Sequence, residues 1–273
     1  MADIKPFKAV RPTRDKVSLV ASRSYLSYSE ETLIEKLEHN PYTFLHIINP
    51  DYSDKHIEVK GKAKYSLVKN KFNEFKTNGV FIEDQKPTLY LYQQQKEDVV
   101  FTGIICASNL DDYLKGYIKI HEQTISRREE MFKDYLNITG FNAEPVLLTY
   151  PDQKGVDNVL ESYINSRPEY EFTTTNRSTH KLWLIQDEKD IQILQSIFEK
   201  VESLYIADGH HRSASSALLC QQRRKENPDY TGRESFNYFM SYLIPESQLS
   251  ILDFNRIVKD LNGLNTEEFI TSV

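Results

Sequence analysis

The chain has 273 residues, with 40 acidic and 34 basic side chains, a net charge of -6, 39% hydrophobic residues and 27% charged ones. This length and composition support a substantial core in one large domain or two small ones and exclude disorder, while the negative charge argues against broad electrostatic binding to DNA or an anionic membrane. No apolar run approaches the roughly 18 residues of a membrane span, and the charged segment from Met1 to Arg14, with Pro6 and Pro12, is no signal peptide.

In chain order, residues 5 to 28 read as irregular, with a short strand at Val17 to Ala21. Ser29 is placed to cap a helix that Pro41 stops, and Thr43 to Ile48 has strand composition, with His46 at the edge of the core. Lys60 to Asn78 predicts an amphipathic helix with Ala63, Leu67, Phe72 and Phe75 on its apolar face and Gly79 closing it. Thr88 to Gln93 and Val99 to Ala107 flank a polar turn and predict a β-hairpin in the middle of a sheet. Ser126 followed by Glu129 has the capping-box pattern and predicts a helix running to Gly140.

Further on, Ala143 to Tyr150 predicts a strand, Gly155 to Ser166 a helix, and Phe172 to Thr175 a short strand. His180 to Ile185 predicts a strand around the single Trp183, and Asp187 to Val201 a capped helix. After the Leu204 region come a helix from Ser213 to Lys225, a strand over Phe236 to Ile244, a short strand at Ile251 to Phe254 and the start of a helix at Asn265. The 17 Tyr and 14 Phe predict an aromatic-rich core. Cys106 and Cys220 lie in apolar runs without a pairing motif and read as buried thiols of a reducing, cytoplasmic compartment. The expected fold class is α+β, a mixed sheet with flanking helices. The chain reads as one unit over 1–273, with an N-terminal sheet and helix part over 1–110 and a nucleotide-binding part over 111–273.

Chemistry concentrates where Leu204-Tyr205-Ile206-Ala207 ends in Asp208-Gly209-His210-His211-Arg212-Ser213 and helix formers resume. A polar loop between a strand and a helix N-terminus offers backbone N–H groups and the positive end of the helix dipole, which favours an anion. Gly209 lets a ligand approach the backbone, His210, His211 and Arg212 add donors, and Arg212 can fork onto a phosphate. Asp208 beside a phosphate needs a Mg²⁺ ion or a transferable proton between them, which makes it a candidate metal ligand or proton acceptor. The alternatives are a plain Asp-Gly turn with Ser213 as N-cap, or a zinc site using Asp208, His210 and His211.

A second stretch, Gly116 to Glu130, carries His121 and Glu122 into a helix N-terminus, with Lys119, Thr124, Arg127 and Arg128 around them. Glu122 can serve there as a general base, with an arginine to hold phosphate. The alternative is an exposed salt-bridge network.

Pro6-Phe7-Lys8-Ala9-Val10-Arg11-Pro12, the run Gly116 to Thr124, Glu144-Pro145-Val146 and Ala207 to Arg212 together resemble the family filed as domain of unknown function 1015, over nearly the whole chain. Members of that family continue past the point where this chain stops, which implies a shortened C-terminus. The Asp-Gly-His-His-Arg element is similar to the phosphate box of the ParB and sulfiredoxin superfamily, which implies a ParB/sulfiredoxin-like core. Free-serine kinases of that superfamily combine such a box with a His-Glu element followed by arginine. By that resemblance Glu122 deprotonates a substrate hydroxyl, Asp208 assists or binds Mg²⁺, and Gly209 to Ser213 hold the phosphates of ADP or ATP. The expected partners are a nucleotide and a small hydroxyl acceptor, with no membrane. Nucleic acid is not expected, since no basic helix-turn-helix segment exists beyond Arg223-Arg224-Lys225. A ParB-like nucleotide switch and a metal hydrolase are the rival classes.

Overall fold

The chain is organised around one mixed β-sheet. The computed structural model describes residues 2–51, 59–251, 253, 255 and 257–272. The first half contains β1 (Ile4–Lys5), β2 (Val10–Pro12), α1 (Val17–Val20), α2 (Glu30–His39), α3 (Leu45–Ile48), α4 (Gly61–Thr77), β3 (Phe81–Glu83), β4 (Leu89–Lys96) and β5 (Val99–Asn109). The second contains α5 (Leu110–Leu114), β6 (Ile118–Lys119), α6 (Ser126–Thr139), β7 (Val146–Tyr150), α7 (Lys154–Ile164), β8 (Tyr170–Thr173) and β9 (Ser178–Ile185). It closes with α8 (Glu188–Phe198), β10 (Leu204–Asp208), α9 (His210–Glu226), β11 (Tyr238–Pro245) and α10 (Thr266–Ser272).

The main sheet has the order β6-β10-β7-β11-β5-β4-β9-β8, with β1 pairing on β5 as well, and β2 and β3 form a separate ribbon. Strands from both halves of the sequence therefore share one sheet. The predicted hairpin is its centre: Lys96 pairs with Val99 across a two-residue turn in which Glu97 takes φ 54°. Parallel pairing occurs between β6 and β10 and between β7 and β11. The main core gathers Leu89, Leu91, Ile104, Leu148, Trp183, Phe198, Ile206 and Leu243, and a second cluster gathers Val20, Ile47, Val68, Phe75 and Phe81. Phe72 stacks on Phe141 at 4.2 Å, tying the second cluster to the end of α6. Cys106 and Cys220 are free and buried.

Two segments with strand composition are helical turns instead. In Thr43 to Ile48 local polar groups close the turn: Asn40 Oδ1 accepts from Tyr42 N–H, the Thr43 hydroxyl accepts from Leu45 N–H, and the His46 ring bonds Asn40 C=O. These bonds compete successfully with the β preference of the side chains. At Val17 to Val20 the Thr13 carbonyl accepts from both Lys16 and Val17 and winds the chain into α1, whose last carbonyl, on Val20, accepts from Phe44 N–H. In α4, Val68 and Phe75 are the buried positions, whereas Ala63 is exposed. The predicted strand at Ile251 to Phe254 includes Leu252 and Phe254, which lie outside the described residues.

Ser29 caps α2 by accepting from Thr32 N–H, and Asp187 caps α8 by accepting from Lys189 and Asp190 N–H groups, as their sequence patterns predict. The capping box at α6 does not form. Ile125 occupies the cap, Ser126 is already helical, and Glu129 instead accepts a hydrogen bond from the Thr124 hydroxyl.

Candidate functional site

The helix after β10 begins three residues before the predicted start. Gly209, at φ 103°, is its N-cap in the left-handed region, and His210, His211 and Arg212 form its first turn. Ser213 is therefore the fourth helical residue and not the cap: its N–H and its fully buried hydroxyl both donate back to Gly209 C=O. By helix geometry the N–H groups of His210, His211 and Arg212 precede the first intrahelical bond and point outward. A Cβ at Gly209 would lie 3.2 Å from the Arg212 guanidinium, so the missing side chain is what lets Arg212 fold back over the turn.

Arg212 folds back onto protein partners. Its Nη2 is 2.6 Å from Asp208 Oδ2, its Nη1 is 3.3 Å from Glu144 Oε2, and it donates to Pro145 C=O. Asp208 follows a register shift in the β10–β7 pairing after Ile206, a bulge that turns its carboxylate out of the ladder. Glu144 and Pro145 stand out in the sequence only as part of the family resemblance. Their role as Arg212's brace comes from β7 lying beside β10.

The two sequence motifs meet at His210. Its ring stands edge-on to His121, with centroids 4.4 Å apart, and His121 N–H donates to His210 Nε2 at 3.4 Å. Glu122 Oε2 lies 3.7 Å from His210 Nδ1. Because Nε2 accepts from the backbone, the neutral ring carries its proton on Nδ1, facing Glu122. Burial, reinforced by His121, holds the His210 pKa below the usual histidine value. His210 is thus a neutral orienting group that contributes no positive charge. His211 is half-buried, and its Nδ1 has no hydrogen-bond partner among the described residues.

The contact follows from the sheet. Parallel β6 and β10 pair Ile118 with Leu204 and Lys119 with Tyr205, and each strand leads toward a helix. The two helices also run parallel: His121, just before α6, touches the start of α9, while Asn137 near the end of α6 accepts from Arg223 near the end of α9. Two helix N-termini consequently share one end of the molecule. Lys119, Arg127 and Arg128 are exposed there, and none has an ion-pair partner among the described residues. With the neighbouring helix dipoles they make a region suited to anions.

Asp208 Oδ2 is taken by Arg212, which leaves Oδ1 for a cation. One open carboxylate beside an anion site fits Mg²⁺, which is held by few protein ligands together with phosphate oxygens. Among the described residues no group of three His, Cys, Asp or Glu side chains can hold a metal ion, so Asp208, His210 and His211 do not form the zinc alternative. Clefts of about 320 and 330 Å³ lie elsewhere, and around the buried His210 the side chains of Glu122 and Asp208 are exposed.

Residues 4–273 match the model of a family described as protein of unknown function (DUF1015). The chain belongs to the DUF1015 family. No curated protein and no solved structure matches it. The DUF1015 segments quoted above fall into two places in the fold. The runs around Gly116, Glu144 and Asp208 converge on His210 and Arg212, whereas Pro6 to Pro12 lies with β2 near β8, where Arg11 pairs with Glu169. No described helix of this DUF1015 chain is long and apolar enough to cross a membrane.

The histidines give the chain a pH dependence. Burial lowers the pKa of His46, His180 and His210 from 6.5, so below that value the unfolded chain binds protons that the folded one does not. Stability then rises with pH through this range. Carboxylates held low, such as Glu169 and Asp111, are ionised in both states above about pH 5.5 and do not contribute to this window. The urea midpoint is expected to fall between pH 7.5 and pH 5.5, and to fall less in His180→Phe. An unchanged midpoint would mean that these rings are open to solvent.

Proposed function

We propose that this chain binds a purine nucleotide and transfers a phosphoryl group from it to a small hydroxyl compound, on a core related to the ParB and sulfiredoxin superfamily. One observation carries the reading. His210, the first residue of α9, contacts both His121 and Glu122, so a carboxylate able to accept a proton stands beside the Asp208–Arg212 turn although the two stretches are 89 residues apart in sequence.

In this reading the open N–H groups at the starts of α6 and α9, with Lys119, Arg127 and Arg128, hold the nucleotide phosphates. Mg²⁺ at Asp208 Oδ1 would neutralise phosphate charge. Glu122 accepts the hydroxyl proton of the acceptor as its oxygen attacks the terminal phosphorus. The bond from phosphorus to the bridging oxygen then breaks, and its electron pair leaves with the shortened nucleotide. Phosphoryl transfer asks for little beyond such positioning and charge neutralisation. His210, whose Nδ1 faces Glu122 Oε2 at 3.7 Å, positions Glu122 by contact and not by a formed hydrogen bond, and Arg212 braces Asp208 without touching the phosphates. The rival DNA-associated reading is weakened by its own basic run: Arg223 pairs with Glu226 and Asn137, and Arg224 with Asp111 and Asn237.

Calorimetric titration with Mg²⁺ and ADP, ATP or CTP tests the proposal. Saturable binding of one nucleotide is expected, weakened at least about tenfold in Arg127→Ala/Arg128→Ala, as for loss of charge-assisted contacts of about 1.5 kcal/mol or more. Failure of all three nucleotides to bind the folded protein would overturn both the transfer and the switch readings.

A further inference from the structure

At the opposite edge of the sheet from β6, the turn between α7 and β8 and the start of the chain enclose a cleft of about 320 Å³, lined among others by Arg14, Arg167, Pro168, Glu169, Trp183 and Leu184. Its electrostatics are one-sided. Glu169 is the only carboxylate in the lining, and it is satisfied twice: Oε1 lies 2.9 Å from Arg11 Nη1 and Oε2 2.5 Å from Arg14 Nη2. Arg11 is held in turn by Asp84 at 2.8 Å, and the Tyr170 hydroxyl donates to Pro12 C=O. Arg14 spends Nε and Nη2 on one Glu169 oxygen, which leaves Nη1 open, and its side chain is 67% exposed. Arg167 is exposed and has no ion-pair partner among the described residues, in a chain whose 40 acidic side chains outnumber its 34 basic ones. The apolar part of the lining is Pro168, Leu184 and the edge of the buried Trp183, whose indole N–H donates to Ser166 C=O.

We propose that this cleft is a binding site for a small organic anion, a carboxylate or phosphate ester with a planar apolar body. Arg167 takes the anion through its guanidinium fork, Arg14 adds its open Nη1, and the body lies against Pro168, Leu184 and the edge of Trp183. Guanidinium geometry suits both anions, the volume is that of a small-metabolite site, and the ion-pair chain from Asp84 through Arg11 to Glu169 holds Arg14 at the rim. This gives the Pro6 to Pro12 segment a role that the His210 region does not supply. The site stands independently of the phosphoryl-transfer reading.

Trp183 is the only tryptophan and lines this cleft, so its emission offers a readout there, with calorimetry to confirm binding. The experiment titrates phenyl phosphate, benzoate and benzyl alcohol into the wild type, Arg167→Ala and Arg127→Ala/Arg128→Ala, read by tryptophan fluorescence and by calorimetry. Expected is saturable binding of at least one of the two anions and not of the alcohol, weakened at least tenfold in Arg167→Ala and unchanged in Arg127→Ala/Arg128→Ala. Arg167 is exposed and unpaired, so its removal leaves the fold intact. Absence of saturable binding by either anion, equal affinity in Arg167→Ala, equal binding of benzyl alcohol, or loss of binding in Arg127→Ala/Arg128→Ala would each overturn the proposal.

Discussion

Gly103→Ala is expected to be among the most destabilising single substitutions in the chain, at about 3 kcal/mol or more, or to prevent folding altogether. Gly103 lies in the central strand β5, where a Cβ would stand 2.2 Å from the backbone oxygen of Leu243, 2.7 Å from Ile244 Cγ2 and 2.8 Å from the Tyr242 ring. A backbone oxygen cannot turn aside as a side chain can. Relief would require β5 and β11 to separate at the middle of the sheet, at the upper end of the cost of overpacking. Urea denaturation followed by far-ultraviolet circular dichroism measures the loss. A midpoint within error of wild type would show that β5 and β11 do not pack as described. Gly79→Ala is the useful comparison, because nothing lies within 4 Å of the added carbon and only the left-handed φ of 70° is strained.

The second large effect concerns Glu122→Gln. On the proposed mechanism it removes the proton acceptor and keeps the shape, so the transfer rate should fall about 10²- to 10⁴-fold while nucleotide affinity changes less than about threefold. Rate and affinity falling together would place Glu122 in binding, and an unchanged rate would remove it from the reaction. His210→Phe tests the orienting role. Loss of the polar ring edge that faces Glu122 should lower the rate less than Glu122→Gln does and leave nucleotide affinity intact.

Much of this was readable in the sequence because local rules and tertiary structure agree. The 89–107 hairpin, the caps at Ser29 and Asp187, and the stop glycines at 79 and 140 are short-range signals that packing reinforces. The failures have a common cause. Thr43 to Ile48 and Val17 to Ala21 carry β-branched and aromatic side chains, yet neighbouring Asn, Thr and backbone carbonyl groups close a helical turn first. At α9 the sequence reads Gly209 as a loop residue and Ser213 as the start of the helix. Only its φ of 103° places His210 to Arg212 inside the helix. Asp208 and Glu122 stand out in the sequence as residue types. Their convergence does not, since it depends on the parallel pairing of β6 with β10, a contact no local pattern encodes. Nor does the sequence reveal that Arg212 is braced on Glu144 and Pro145.

The shortness of β6 bears on the proposed turnover. This strand is two residues long, lies at the sheet edge and meets one neighbour, through Ile118 and Lys119. Segments with so few backbone bonds open at a small fraction of the global unfolding free energy. Glu122 therefore follows a short edge strand anchored by the buried Ile118, whereas Asp208 ends a strand whose longer pairing is with β7. On the proposed reading, exchange of nucleotide would draw on this thinly paired rim, while the strand that carries Asp208 keeps its pairing with β7.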